Sequence, residues 1–171
     1  MSSEKNSLCN HGHILGTELS TTGTKFSIGS CSNGQWHETA SKDISGEPSK
    51  VAIGDDEQHS GYYFDGPHMT VDVFKFMADN TYVEWSLCCR AEVNGSGYGR
   101  LTTRNKSGSC ATFILSEGEK FFHSHPRNDG TSPSEEDIEA LEDLREEGYS
   151  EFYIYNPRNQ HTVSYDENGS Y

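Results

Sequence analysis

Between Phe121 and Asp137 the chain reads FFHSHPRNDGTSPSEED, and this stretch limits the possible folds more than any other. Phe121, His123 and His125 alternate, so in an extended strand their side chains leave one face while Phe122 and Ser124 leave the other. Pro126 cannot donate to a sheet ladder and predicts the end of that strand. Arg127 to Thr131 has turn composition, and a helix of about Pro133 to Glu147 follows, closed by Gly148. Ser132, Pro133 and Glu135 match an N-cap, a proline at the first helical position and the third residue of a capping box. That assignment leaves Ser134 free of capping. Ile138, Leu141 and Leu144 form the apolar stripe, and Asp137, one and two turns before the two leucines, is expected to face inward near the histidines.

The combination has the character of a metal site. Zinc takes imidazole and carboxylate ligands, and a catalytic zinc keeps three protein ligands and one open position. His123, His125 and Asp137 supply that number. The chain contains its own control in Asn10-His11-Gly12-His13, a second His-x-His. The offsets that lead from His125 to Ser134 and Asp137 lead from His13 to Thr22 and Lys25, where no carboxylate stands, so His11 and His13 are read as ordinary loop histidines. A metal-activated water needs a nearby proton acceptor. Glu84 is the candidate, expected on a half-buried strand Thr81 to Cys89 with Val83, Trp85 and Leu87 on its apolar face and Glu84 on the other. Glu92, next to a predicted turn, is the alternative. Ser134 could donate to a developing oxyanion.

A length of 171 residues fits one core. Residues 1–60, rich in Ser, Thr, Gly and Asn, read as loops with short strands or a partly ordered lead-in, and residues 61–171 as the folded domain. In the latter, Met69 to Asn80 predicts a helix. Val93 to Gly97 predicts a turn that returns the chain along Arg100 to Arg104. Cys110 to Leu115 and Lys120 to His125 predict strands around a turn at Ser116 to Glu119, and Glu151 to Tyr155 with His161 to Tyr165 a last hairpin. The order implies an α+β fold, a sheet flanked by helices.

The net charge of −14 would repel a phosphate backbone, and no basic patch offsets it, which argues against nucleic acid. A nuclease or deaminase is further disfavoured by the lack of a Cys-x-x-Cys deaminase signature. No apolar run is long enough to span a membrane, and the first thirty residues lack the basic-then-apolar pattern of a secretory signal. The five cysteines show no zinc-ribbon spacing and are expected as free thiols, Cys110 packed, with Cys9–Cys31 the one pairing an oxidising compartment could allow.

The run His123-Ser124-His125-Pro126, seven further residues and Ser134-x-x-Asp137, with Glu84 upstream, resembles the JAMM (JAB1/MPN-type) metallopeptidase motif. Residues 79–86 (DNTYVEWS) and Ser107-Gly108-Ser109 look more narrowly like the JAB-like toxin domains at the C-terminal ends of bacterial Rhs-type and other polymorphic toxins. The resemblance covers about Gly61 to Tyr171. It implies a JAMM/MPN-like, cytidine-deaminase-like curved mixed β-sheet flanked by helices. It also implies Zn2+ held by His123, His125 and Asp137, Glu84 as general acid/base, and Ser134 as stabiliser of the tetrahedral intermediate. By the same resemblance the substrate would be a protein or peptide, cleaved by a peptidase or isopeptidase. It further implies a bacterial effector delivered by a contact-dependent or type VI system without a signal peptide, and a cognate immunity protein. The alternatives are a non-catalytic scaffold of the same fold and a housekeeping JAMM peptidase. Asn105 to Ser109 and residues 1–60 are the expected sources of selectivity or immunity contacts.

Overall fold

The computed structural model describes residues 13–14, 17–22, 25–33, 35–44, 46, 49–53, 61–90, 97–104, 115–126 and 130–171. Strands β1 (His13–Ile14), β2 (Thr17–Thr22), β3 (Lys25–Ser32) and β4 (Gln35–Asp43) make an antiparallel sheet in that order. A larger sheet contains β5 (Ser49–Ile53), β6 (Gly61–Gly66), β7 (Ser86–Arg90), β8 (Tyr98–Thr103), β9 (Lys120–Ser124), β10 (Glu151–Asn156), β11 (His161–Asp166) and β12 (Gly169–Ser170). Its order is β12-β11-β10-β9-β7-β8-β6-β5. Helices α1 (Val71–Asn80) and α2 (Glu135–Glu146) complete the described elements. The fold is α+β with a mixed sheet, as expected.

The two faces of the large sheet follow from the two-residue side-chain period. Across one face runs the row Phe64, Leu101, Leu87 and Phe122, neighbours in register. They pack with Val73, Phe74, Met77 and Ala78 of α1. The opposite face presents Cys88, Phe121, Phe152, Ile154 and Val163, covered by Leu141 and Leu144 of α2. His123 lies between Phe121 and the strand end on this second face, so both the site and α2 belong to it. One pair in the sheet is parallel, β9 with β10. Parallel neighbours need a crossover connection, and α2 is that crossover. Glycine is required at Gly99, where an added Cβ would sit 2.1 Å from the Met69 carbonyl oxygen.

Several expectations need correction. Residues 1–60 are more than loops with short strands: β3 and β4 run for eight and nine residues. Phe26 and Ile28 enter the core beside α1, and the Phe26 ring meets Phe64 edge-on at 5.1 Å. Their alternation with Ser27 is too short a signal to be read against the polar background. The division expected at 60/61 is crossed by the β5–β6 ladder. His13 stands in β1 and not in a loop, while His11 is outside the described residues.

The helix expected from Met69 starts at Val71 because Thr70 caps it, its side chain accepting from the Val73 N–H. The helix expected from Pro133 starts at Glu135 and ends at Glu146. The Val93 turn lies mostly outside the described residues, as do Cys110 to Ile114 and the Asn105 to Ser109 segment. Its return strand β8, the 116–117 turn and the final hairpin are as expected. Cys9 is not described and Cys31 only in its backbone, so the Cys9–Cys31 pairing falls outside too. Cys88 and Cys89 are thiols and form no disulfide, and burial pushes the Cys89 thiol up to about 12.

The strand expected over Thr81 to Cys89 begins only at Ser86 and ends at Arg90. Val83 and Trp85 are buried and Tyr82 is exposed, as the alternation predicted, but Ser86 and Cys88, on the face with Tyr82 and Glu84, are buried as well because the α2 side of the sheet is covered. What it could not report is where the backbone bonds go. The Thr81 hydroxyl donates to Met77 O at 2.7 Å, at the end of α1, and accepts from Trp85 Nε1 at 2.8 Å. Side-chain bonds thus replace a regular ladder over the first half of the segment.

Trp85 is 0% exposed and joins α1 to the sheet. Trp85→Ala is expected to destabilise the protein by about 3–5 kcal/mol, the usual range for truncating a buried aromatic, seen in urea unfolding as a lower midpoint at unchanged slope.

Candidate metal centre

The site is assembled where β9 ends and α2 begins. His123 projects from β9 onto the α2 face and is buried at 1% exposure. His125 lies one residue beyond the strand, yet its N–H still donates to Tyr155 O at 2.9 Å, which continues the β9–β10 ladder as far as Pro126 and keeps both imidazoles on one face. Asp137 comes from the first turn of α2, with 19% of its side chain exposed.

The three groups meet. His123 Nε2 and His125 Nε2 are 3.0 Å apart. Asp137 Oδ1 lies 3.2 Å from the former and Oδ2 3.4 Å from the latter. One ligand atom from each residue therefore falls within a 4.8 Å group, the arrangement of a potential metal site. The donor set and spacing fit zinc: Zn–N distances of 2.0–2.1 Å in a tetrahedron set ligand atoms about 3.3 Å from one another.

The electrostatics favour the same ligand state. Burial pushes the His123 imidazole below its ordinary value, so the ring is held neutral, the form that coordinates a cation. For Asp137 burial alone would raise the carboxyl. The hydrogen bonds from His123 and His125 and the Ser134 N–H outweigh it and hold the group well below the usual carboxylate range. The site thus presents two rings and a carboxylate anion. The His123 ring is enclosed by Phe121, 5.8 Å between centroids, and by Tyr165, edge-on at 5.5 Å. Among the described residues its buried Nδ1 has no hydrogen-bond partner.

Ser134 is not free of capping. It is itself the N-cap of α2: its hydroxyl oxygen accepts from Asp137 N at 3.1 Å, and Asp137 Oδ2 accepts from Ser134 N at 2.8 Å, a full capping box. Both Ser132 and Ser134 satisfy the residue rule for a cap, and backbone geometry selects the second. The correction leaves its proposed chemistry intact, because the cap uses the oxygen as acceptor and leaves the hydroxyl proton to be donated elsewhere. The carboxylate likewise has about four acceptor positions, of which the cap takes one.

Glu84 is not on a strand as expected, but its position follows from the ladder. Ser86 is paired with His123, and Ser124 N donates to Trp85 O at 2.9 Å, which carries the antiparallel register one pair past the end of β7. Glu84 follows directly, one residue beyond this last bonded pair and outside the strand. It is half-buried. Asn156 is a contributor that sequence reasoning missed. Its side chain, buried on β10, donates from Nδ2 to Gly130 O at 3.1 Å, tying down the connection between His125 and Ser134. The only hint in the sequence is its position before Pro157 at a strand end.

Residues 65–147 match the family model of JAB-like toxin 1. The match supports a JAB/JAMM-like toxin domain in that part of the chain. All five candidate residues of the toxin domain, Glu84, His123, His125, Ser134 and Asp137, lie within the matched span. Strand β10, which completes the crossover, lies just beyond it. No curated protein and no solved structure matches the chain. Among the described residues no helix is long and apolar enough to cross a membrane.

Ser134→Ala is expected to cost about 1 kcal/mol of stability in metal-free protein through loss of the cap while metal stoichiometry stays unchanged. Parallel urea unfolding and metal titration separate the two effects.

Proposed function

We propose that the toxin domain is a zinc-dependent peptidase or isopeptidase that acts as a bacterial effector in a target cell and is restrained in its producer by an immunity protein. The observation that carries this reading is the convergence of two imidazole nitrogens and one carboxylate at tetrahedral-edge distances, inside a segment that matches a JAB-like toxin family. Delivery by an Rhs-type or type VI route is part of the same proposal and rests on the family resemblance alone.

Bound zinc would acidify a water molecule toward neutral pH and polarise a substrate carbonyl. His123, His125 and Asp137 would hold the ion through the ring nitrogens and carboxylate oxygens that now lie in contact with one another. Glu84, one residue beyond the last bonded pair of β7 and β9, accepts the proton of the attacking water and returns it to the leaving amine, so one carboxyl serves as base and then as acid. Ser134 donates its hydroxyl proton to the oxygen on which negative charge develops. Because the Ser134 backbone is locked by the capping box, that donor is pre-positioned at no cost during reaction. Amide hydrolysis needs this set and no more, which is why the substrate is proposed only as a protein or peptide.

Metal analysis of purified protein should find about one zinc per chain, and His125→Ala should abolish it. Glu84→Gln should retain the zinc and lose on the order of 100- to 10,000-fold in activity, the usual contribution of a general acid–base. The readout is growth inhibition on expression in a susceptible bacterium, with and without the neighbouring open reading frame. A chain that takes up no zinc on reconstitution, or whose Glu84→Gln variant remains fully toxic, is not a peptidase of this kind. Toxicity relieved by the neighbouring frame separates an effector from a housekeeping peptidase.

A further inference from the structure

Glu84 stands outside every strand and helix, in the segment between α1 and β7. A general base must nevertheless be held to within a fraction of an ångström of its working position. Two side-chain hydroxyls supply the missing restraint. Thr103, at the end of β8, donates from Oγ1 to the carbonyl oxygen of Glu84 itself at 2.7 Å. Ser124, the residue between the two histidines, accepts at Oγ from the N–H of Trp85, the next residue, at 2.9 Å. Both serine and threonine are fully buried, so water does not compete for these bonds.

The Ser124 contact has a particular geometry. In an antiparallel ladder, paired residues exchange both N–H···O bonds. Ser124 N does donate to Trp85 O, but the return bond from Trp85 N goes to the Ser124 hydroxyl. A side chain thus occupies the place of the strand carbonyl, and the ladder is held open at the pair that precedes Glu84 and His125. Ser124 points away from the metal face, since its neighbours His123 and His125 point toward it. It cannot be a ligand.

We infer that Ser124 and Thr103 are positioning residues that fasten the Glu84 backbone to the histidine strand, so that the strand carrying two metal ligands also sets the location of the base. This rests on the proposed role of Glu84. The hydroxyl of Ser124 converts a fixed backbone register into a fixed base-to-metal geometry, and Thr103 holds the other side of the same peptide from β8.

Amide hydrogen exchange in the metal-free full chain tests the clamp without reference to catalysis. Ser124→Ala should speed exchange of the Trp85 N–H at least tenfold relative to that of Leu87, which lies within the ladder, and Ser124→Thr, which keeps the hydroxyl, should restore it. In zinc-loaded protein, Ser124→Ala and the isosteric Thr103→Val should keep one zinc per chain while growth inhibition falls toward that of Glu84→Gln, with Ser124→Thr again rescuing. An unchanged Trp85 exchange rate in Ser124→Ala overturns the clamp. Faster exchange with wild-type toxicity, where Glu84→Gln is inactive, overturns the positioning role. If Glu84→Gln is itself fully toxic, the assignment of Glu84 as base fails, and the exchange result alone decides whether the clamp stands. Should Ser124→Ala not fold, the Thr103→Val comparison carries the test.

Discussion

The parallel pairing of β9 with β10 is the constraint on which the site depends. Parallel strands cannot be joined by a short turn, so the chain leaves β9 at Pro126, crosses one face of the sheet as α2 and re-enters as β10. That crossover must start beside the end of β9. It therefore places the first turn of α2 over the two histidines, and Asp137 arrives at them because it is the third residue of the helix. The burial of Leu141 and Leu144 against Phe121, Phe152 and Ile154 keeps the helix on that face. The same hydrophobic contact that stabilises the crossover thereby sets the depth of the carboxylate.

Asp137 has two structural relations at once, accepting from the Ser134 N–H as a cap and lying against both imidazoles. These duties reinforce each other. The cap restrains the rotamer of the carboxylate through Oδ2, the oxygen that also lies against His125, and a helix N-terminus favours negative charge, so the anion is stabilised by the helix as well. The buried His123, kept neutral, complements it. Such a cluster without a cation would leave two imidazole nitrogens and a carboxylate facing one another in a largely dry site. A divalent metal would satisfy all three, which is the physical content of the likeness to JAMM-type sites.

Much of this was legible in the chain itself. The His-x-His alternation followed by proline reported a strand with both rings on one face, and the three- and four-residue spacing after Asp137 reported the inward face of a helix. Local periodicity governs both, so no tertiary information was needed. The cap was misread because Ser132 and Ser134 obey the same residue preference and only backbone dihedrals decide between them. The segment from Thr81 to Trp85 alternates like a strand because burial alternates, but its hydrogen bonds run to Thr81, Thr103 and Ser124, partners scattered over the sequence. The N-terminal strands were underestimated for a related reason: Phe26 and Ile28 are two apolar residues in a polar background, and their burial depends on meeting Phe64 and α1.

The sequence alone determined which residues are the candidates: two histidines and an aspartate at a spacing that a strand, a proline stop and a helix start translate into one face, plus a glutamate upstream. The tertiary structure decided that Ser134 and Asp137 cap one another, that Glu84 lies outside the ladder, and that the Ser124 and Thr103 hydroxyls bond the two sides of the Glu84–Trp85 peptide. The division has a simple cause. Side-chain direction within an element is set by local backbone geometry, whereas the partner of a hydroxyl or a carbonyl between elements is set by register and crossover, which residues far apart in the chain decide together.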